Sequence, residues 1–197
     1  MEIIQRDDRQ TTAATKGSAA YVAFLRGINV GGKNLISMSE LAECFRGAGF
    51  RDVRTYIQSG NVLFTADRTP ATELETSIER MLEERFGFPI LVVVRSRDEL
   101  AATIAAAPAN HGSDQLRSDV YFLKAPLTAE AVQSQLPELR DGVDSVALGA
   151  GVLYFSRVAA RASETRINRF MGKPVFRQIT VRNWRTTTRL LEMLDGE

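Results

Sequence analysis

The chain has little of what several protein classes require. Of its 197 residues, one is a cysteine and one is a histidine. A single cysteine, Cys44, excludes a disulfide scaffold and predicts a reducing, cytoplasmic location. One cysteine and one histidine also fall short of a conventional zinc site, so we expect neither metal nor cofactor. No apolar run approaches the roughly 20 residues that span a bilayer, which excludes a helical membrane protein.

What is present is ordinary for a folded protein. The chain is 44% hydrophobic and 25% charged, with a formal net charge of +1. Residues 1–18 hold almost no apolar side chain after Ile4, and they lack the basic start and apolar stretch of a secretory signal. We therefore expect a disordered tail before the fold.

The predicted elements from residue 19 to residue 95 follow the order β-α-β-β-α-β. A short apolar strand precedes a helix whose capping box begins at Ser37, and the next two strands join in a hairpin at Ser59-Gly60. An amphipathic helix and the apolar run 89–94 follow. That uninterrupted run is typical of a central strand covered on both faces. The order is the split βαβ plan of a ferredoxin-like unit.

The same order recurs in weaker form from residue 117 to residue 182. Its second helix is predicted at Thr165–Met171, and its last strand ends near Val181. Residues 96–116 supply a bridging helix and loop, and residues 183–197 a C-terminal helix capped by Asn183. The sequence therefore predicts an α+β fold of two ferredoxin-like (split βαβ) subdomains in tandem, with a bridging helix and a C-terminal helix.

A glycine-rich segment follows the first strand. Gly27 to Asn34 nearly spells the phosphate loop G-x-x-x-x-G-K-[ST], but Asn34 replaces the hydroxyl residue that would hold Mg²⁺. The helix start at Ser37 also lies too far beyond Lys33 for that loop. We expect a basic ligand-binding loop here, with a purely structural turn as the alternative. The candidate ligand-binding residues are Arg26, Gly27, Asn29, Gly31, Gly32, Lys33 and Asn34.

A second polar stretch, Gln58 to Asn61, lies at the tip of the first hairpin. We expect this tip and the glycine-rich loop to leave opposite ends of the sheet. Ser59 is a poor nucleophile candidate, because the single histidine, His111, belongs to another loop that we expect to be exposed. Neither polar loop contains paired carboxylates, so no catalytic residue is assigned.

The C-terminal third is strongly basic. From Arg157 to Arg189 there are nine basic residues and one acid, giving +8 against −7 for the rest of the chain. This asymmetry indicates either a polyanionic partner or a solubilising surface. Two arginines flank the single tryptophan at a helix start, where such groups stack bases and contact phosphates. The candidates are Arg182, Asn183, Trp184 and Arg185; alternatively, Trp184 anchors the terminal helix.

Three stretches resemble the signatures of domain-of-unknown-function family 1697. They are residues 21–34 (YVAFLRGINVGGKN), 55–62 (TYIQSGNV) and 182–186 (RNWRT). The resemblance implies a bacterial-type cytoplasmic protein with two ferredoxin-like subdomains, and it implies no activity, cofactor or catalytic residue. The chain departs from the family in Val181, where the family tends to have Ala, and in its 18-residue leader.

These observations favour a binding protein for an anionic ligand, with nucleic acid as one candidate and no obvious catalysis. One alternative is a small enzyme acting on a phosphorylated metabolite, whose phosphate Arg26 and Lys33 would hold. The other is a structural or partner-binding module in which the polar loops are only turns.

Overall fold

The computed structural model describes residues 17–196, which fold as two consecutive units. The first contains β1 (Ser18–Leu25), α1 (Met38–Gly47), β2 (Arg51–Tyr56), β3 (Asn61–Asp67), α2 (Ala71–Phe86), β4 (Val92–Ser96) and α3 (Arg97–Ala105). The second contains β5 (Leu116–Leu123), α4 (Ala129–Gln133), β6 (Asp144–Gly149), β7 (Val152–Val158), β8 (Ile179–Asn183) and α5 (Trp184–Asp195). A disordered tail is expected at residues 1–18. Residues 1–16 lie outside the described residues, and Ser18 already belongs to β1.

Each unit builds one antiparallel sheet of four strands. The strand orders are β2-β3-β1-β4 and β6-β7-β5-β8. In both sheets the third strand of the unit lies between the first and the second, which is the split βαβ arrangement. The predicted α+β fold of two ferredoxin-like subdomains in tandem is therefore confirmed.

Capping residues set the helix starts where the sequence predicts them. Ser37 Oγ accepts the amide of Glu40 at 3.1 Å at the start of α1. At α3, Ser96 forms a complete capping box, and at α5 Asn183 Oδ1 accepts the amide of Thr186 at 2.8 Å. Each contact satisfies an amide that the first helical turn leaves free, and such caps are typically worth about 1 kcal/mol.

The bridging helix α3 and the C-terminal helix α5 are equivalent elements. Each follows the last strand of its unit directly through its capping residue. The two helices pack against each other. Each unit is thus a ferredoxin-like sheet followed by one further helix, and the tandem is a repeat of this larger element order.

Three clusters of buried side chains join the layers. The outer face of the first sheet packs on α1 and α2, and that of the second sheet packs on α4 and the short 3₁₀ helices Ile167–Arg169 and Pro174–Gln178. The third cluster joins the inner faces of both sheets to α3 and α5. Within it, Phe24 and Phe122 stack with ring centroids 4.2 Å apart. The two sheets therefore share one core, whose close packing fixes the units relative to each other.

The apolar run 89–94 does not form a central strand as predicted, because β4 lies at the edge of its sheet. Both of its faces are nevertheless covered, one by the shared core and the other by the helices. Carboxylates of α2 cap its open edge: Glu79 accepts the amide of Val92 at 2.8 Å, and Glu75 that of Val94 at 2.9 Å. An edge strand protected in this way tolerates a continuous apolar run.

The prediction of a helix at Thr165–Met171 is also wrong. The 3₁₀ helices Ala159–Glu164, Ile167–Arg169 and Pro174–Gln178 fill the place that α2 occupies in the first unit. The apolar side chains of the last two are buried against the second sheet, whereas the first has no buried residue. Gly172 and Pro174, which are unfavourable in a helix interior, explain why the segment breaks into short turns.

Candidate binding site at the junction of the two units

Arg182 brings the sequence motifs together at one point. Its Nη2 donates to the carbonyl oxygens of Leu25 at 2.8 Å, Ser59 at 3.0 Å and Gly60 at 3.1 Å. Its Nε donates to Asn61 Oδ1. The end of β1, the tip of the β2–β3 hairpin and strand β8 of the other unit therefore meet around a single guanidinium group.

The glycine-rich loop and the hairpin tip leave the same end of the first sheet, so the expectation of opposite ends is wrong. β3 is antiparallel to β1, and the register pair Phe24–Asn61 places the end of β1 beside the start of β3. In a split βαβ unit the second strand runs parallel to the first, and both therefore end on the same side. Asn29 joins the two loops directly, because its Nδ2 donates to Gln58 O at 3.0 Å.

Arg182 is only 7% exposed, and every group it contacts is neutral. Its Nη1 donates to Thr180 Oγ1 at 2.9 Å and to Val181 O at 2.8 Å. Burial lowers the pKa of the guanidinium to about 10, so it stays charged at neutral pH. The converging carbonyl and amide oxygens stabilise that charge through charge-assisted hydrogen bonds. Because its donors are used internally, Arg182 joins the two units.

A second arginine makes the same contacts in reverse. Arg95 Nη2 donates to Leu123 O at 2.8 Å and to Gly151 O at 3.1 Å. Its Nη1 donates to the carbonyl of the preceding residue, Val94, at 2.7 Å. Leu123 ends β5, and Gly151 lies in the β6–β7 turn, so Arg95 holds the second unit as Arg182 holds the first. These reciprocal contacts give the junction an approximate two-fold symmetry.

The residues that follow β1 and β5 extend this reciprocity. Arg26 Nη1 donates to Ile179 O at 2.6 Å, and Lys124 Nζ donates to Val92 O at 3.1 Å. Each acceptor is the first residue of the other unit's last strand. The Arg26 guanidinium also lies 4.7 Å from the centre of the Phe176 ring, and burial lowers its pKa. Arg26 is therefore committed to the junction as well.

Residues 27–36, which we call the finger, project from this junction. Val30 and Lys33 pair in an isolated antiparallel bridge. Gly31 and Gly32 turn between them with φ of 60° and 75°, a left-handed conformation that favours glycine. A Cβ at either position would meet no atom within 4 Å. Backbone conformation, and not lack of space, therefore requires glycine at the tip.

Two asparagines fix the base of the finger. Asn29 Nδ2 donates to Ile36 O at 2.9 Å, and its Oδ1 accepts the amide of Ile36 at 2.8 Å. Asn34 Nδ2 donates to Gly27 O at 3.1 Å. Both side chains are internal braces, and both residues have positive φ, which asparagine tolerates. Since α1 also begins well beyond Lys33, the finger does not have the setting of a nucleoside-triphosphate loop.

The outer surface of the finger is exposed and carries both basic and apolar groups. The Lys33 side chain is exposed, and it has no hydrogen-bond or ion-pair partner within residues 17–196. The amides of Gly31 and Gly32 likewise have no acceptor in that part of the chain. Val30 and Leu35 are 66% and 74% exposed. Large exposed apolar side chains beside a free cation are typical of an interaction surface.

The basic residues of the C-terminal third divide into paired and free groups. Ion pairs or backbone hydrogen bonds occupy Arg157, Arg161, Arg166, Lys173, Arg182 and Arg189. Arg169, Arg177 and Arg185 are exposed, and no described residue pairs with their side chains. Arg177 is two residues before Ile179, whose carbonyl Arg26 binds. Part of the basic window is therefore available to an anion.

Trp184 packs as an anchor of α5. Its ring lies against the shared core and directly over the backbone of Gly112, where a Cβ would overlap Trp184 Cδ1. The side-chain oxygen of Asn183 accepts the amide of Thr186 and so caps the helix. Of the four residues predicted for a C-terminal site, Arg185 is the one that offers an exposed charged group.

His111 is only 8% exposed, so the expectation of an exposed loop histidine is wrong. Its Nδ1 lies 3.0 Å from Ser156 Oγ, which lies 2.9 Å from Ser118 Oγ. Ser118 Oγ accepts the amide of Gly112 at 2.9 Å. The donor direction that satisfies most groups runs from that amide through both serines to Nδ1, and it places the histidine proton on Nε2. Burial among the rings of Trp184 and Tyr154 lowers the pKa of His111.

A metal site and a membrane-spanning helix are both absent from the described residues. Within residues 17–196, no group of three or more His, Cys, Asp or Glu side chains could hold a metal ion. No helix in the same range is long and apolar enough to cross a membrane. The junction itself offers recognition by exposed cations and amides.

Arg95 is a junction residue that charge patterning alone does not single out. It stands among mixed charges, whereas Arg182 stands in the basic window. The available signal is position: each arginine directly precedes the residue that caps the following helix, Ser96 or Asn183. When the sequences of the two units are aligned on those capping residues, Arg95 and Arg182 occupy equivalent positions.

The comparisons with known proteins agree on family and fold. A family model with the description "Protein of unknown function (DUF1697)" matches residues 19–154. Among solved structures, the chain is similar to the conserved bacterial protein SP0830 from Streptococcus pneumoniae, with 27% sequence identity and a TM-score of 0.79. That similarity covers 90% of this chain and 99% of the other. The comparison with curated proteins gives no match.

Proposed function

Since this chain belongs to the DUF1697 family of proteins of unknown function, which supplies no activity, we propose from the geometry that it is a binding protein for an anionic ligand. The contact surface is the finger together with the exposed arginines beyond its base, and nucleic acid is the ligand class that fits it best. One observation carries the proposal: a braced finger presents Lys33 and unpaired backbone amides, and its base meets the segment that carries Arg177 where Arg26 binds Ile179 O.

The charge of the two contributing segments has one sign. Residues 26–39 and 165–191 contain basic residues and no Asp or Glu. They meet where Arg26 binds Ile179 O. A field of one sign attracts polyanions and speeds their association. Lys33, Arg169 and Arg177 have no partner in the described residues, so they remain available to phosphate groups.

The shape of the surface favours an extended ligand. The free cations stand on two separate surface segments, which suits a chain that carries a phosphate at every step. Val30 and Leu35 flank the lysine and offer apolar contacts to sugars and bases. Arg182 and Trp184 support this surface from inside and do not belong to it.

The cytoplasmic location belongs to the same proposal. Cys44 is free and partly buried against the first core. Burial raises the pKa of its thiol. A protonated, unpaired thiol is the expected state in a reducing compartment.

The test is fluorescence anisotropy with labelled, mixed-sequence RNA and DNA oligonucleotides at about 50 and about 200 mM salt. We expect saturable binding that weakens with salt. Lys33→Gln and Arg177→Gln should each weaken binding to all sequences and reduce the slope of log K against log salt by about 1.

The matched control is Arg80→Gln on α2. Arg80 is exposed and has no partner in the described residues, as is true of Lys33 and Arg177. The control removes one charge outside the proposed surface and should leave the affinity unchanged. Absence of oligonucleotide binding at the lower salt, or equal affinity for Lys33→Gln and the wild type, would contradict the proposal.

A partner-binding module is the second candidate, and the apolar flank of the finger favours it. Val30, Leu35 and Ile57 are 66%, 74% and 48% exposed around the finger and the hairpin that supports it. If oligonucleotides do not bind, sedimentation of the wild type and of Leu35→Ser over a range of concentrations tests this reading. Self-association that Leu35→Ser abolishes would support it.

A further inference from the structure

The second unit contains a polar pocket away from the finger. It has a volume of about 410 Å³ and lies between the start of β5, the end of β7 and the first 3₁₀ helix. Arg26 and the finger meet the second unit beside Ile179, which pairs with Leu123 at the far end of β5. The volume falls within the range of about 300–1,000 Å³ that small-molecule sites occupy. The polar lining is Arg117, Arg157, Ser163, Thr165 and Asn168.

Two arginines stand side by side in this pocket. Arg117 and Arg157 are directly opposite each other in the β5–β7 register, so their side chains leave the same face of the sheet. Like charges in that position are destabilising unless something compensates them. Arg157 Nη1 lies 3.4 Å from a carboxylate oxygen of Asp119, whereas Arg117 has no partner within residues 17–196.

No carboxylate contacts the Arg117 side chain within the described residues. Asp119 ion-pairs with Arg157, and Asp144 lies directly opposite Arg157 in the β6–β7 register, where its Oδ2 accepts the backbone amides of Arg140 and Arg166. Glu164, on the adjacent 3₁₀ helix, is held by Arg161 at 2.7 and 2.8 Å. The pocket lining therefore holds two arginines and no carboxylate, and Arg117 is the arginine whose charge is left unpaired among the described residues.

Uncharged donors complete the lining. Ser163 and Asn168 have no side-chain hydrogen bond within the described residues. Thr165 Oγ1 accepts the amide of Ile167 at 3.3 Å, which leaves its hydroxyl hydrogen free to donate. Three alanines of the 3₁₀ helix supply a small apolar wall. Guanidinium forks beside hydroxyl and amide donors are the groups that recognise phosphate oxygens.

We propose that this pocket binds a small phosphate monoester, with the phosphate between Arg117 and Arg157 and the organic part along the alanine wall. The converging donors outnumber the two oxygens of a carboxylate and match the three terminal oxygens of a phosphate. The site is independent of the finger, and it fits a metabolite and not a polymer, because the pocket is a concavity of limited volume.

The test is thermal denaturation and calorimetric titration of the full chain in phosphate-free buffer. The probes are glycerol phosphate, a pentose phosphate, a hexose phosphate, their unphosphorylated counterparts and inorganic phosphate. We expect at least one ester to raise the melting temperature while its unphosphorylated counterpart does not. Arg117→Gln should weaken binding of that ester by about tenfold or more. It should not lower the unliganded melting temperature, because the Arg117 side chain has no partner in the described residues and faces the like charge of Arg157.

Three outcomes would overturn the proposal. One is that no ester stabilises the protein, and another is that Arg117→Gln binds the ester as tightly as the wild type. Stabilisation by inorganic phosphate alone would contradict the proposal that the ligand is an organic ester. Arg80→Gln controls for lost charge, and Lys33→Gln separates this pocket from the finger, since neither should change ester binding. Failure of ester binding leaves the oligonucleotide experiment unaffected, so the two proposals fail separately.

Discussion

Replacing Arg182 with alanine tests the junction most directly. The substitution removes the guanidinium that holds the end of β1 and the tip of the first hairpin. Gly60 O keeps one donor, because Leu25 N also donates to it at 2.8 Å. The carbonyls of Leu25 and Ser59 and the side-chain oxygen of Asn61 lose their contact with Arg182. The oxygens of Leu25 and Asn61 are buried, whereas Ser59 is exposed and its carbonyl can bind water instead.

The expected loss follows from the two buried oxygens, those of Leu25 and Asn61. An unsatisfied buried acceptor costs about 1–3 kcal/mol, so the two together account for about 2–6 kcal/mol. We therefore expect Arg182→Ala to lower the free energy of unfolding by about 3–5 kcal/mol, a large share of the usual total of about 5–15 kcal/mol. For a chain of this size that corresponds to a fall in Tm of about 6–20 °C.

Urea denaturation and thermal melting measure this loss. Arg177→Ala is the matched control, since it removes an exposed arginine of the same basic window and should change stability by no more than about 0.5 kcal/mol. Arg182→Lys should recover less than half of the loss, because one ammonium cannot span both carbonyls and Asn61 as the guanidinium does. A loss below about 1 kcal/mol for Arg182→Ala would refute the structural role we assign to it.

Two further predictions concern the buried polar chain beneath α5. Burial lowers the pKa of His111 in the folded protein, so the unfolded chain binds the proton more readily. This contribution to stability is complete above the ordinary histidine pKa of about 6.5 and is lost as pH falls below it. In urea denaturation, His111→Gln should therefore weaken the decline in stability between about pH 7.5 and about pH 5, and an unchanged pH profile would contradict this role. Gly112→Ala should shift Trp184 fluorescence and lower Tm, because the new Cβ overlaps the indole ring and the backbone φ is +84°; an unchanged emission spectrum would show that the ring does not lie there.

The reciprocal arginines explain how two small units share one core. Each donates from the last strand of its own unit to the end of the first strand and the hairpin of the other. The environments differ in charge. Arg95 lies 3.9 Å from a carboxylate oxygen of Glu75, while Arg182 relies on neutral oxygens. The first-unit hairpin, which supports the finger, is thus held by the more deeply desolvated cation.

Local signals determined much of the fold from the sequence alone. The β-α-β-β-α-β order, the capping residues Ser37, Ser96 and Asn183, and the hairpin at Ser59-Gly60 depend on side chains within a few residues of one another. Such signals fail where the pattern is broken. The 3₁₀ helices of the second unit lack the sequence period of an α-helix. The apolar run before Ser96 indicates that both faces of the strand are covered, but it does not indicate whether the strand is central or at the edge of the sheet.

The candidate site depended far more on the tertiary structure. The sequence marked Arg182 as a cation beside a tryptophan, but its acceptor Leu25 lies 157 residues away, and this contact turns a predicted ligand contact into an internal one. Lys33, by contrast, is exposed on a loop whose glycine turns and asparagine braces are local to that loop. The burial of His111 and the lack of a side-chain partner for Arg117 among the described residues are likewise features of the tertiary structure. Burial and pairing are set by the strands that fold over a side chain or beside it, and the local sequence does not encode which strands those are.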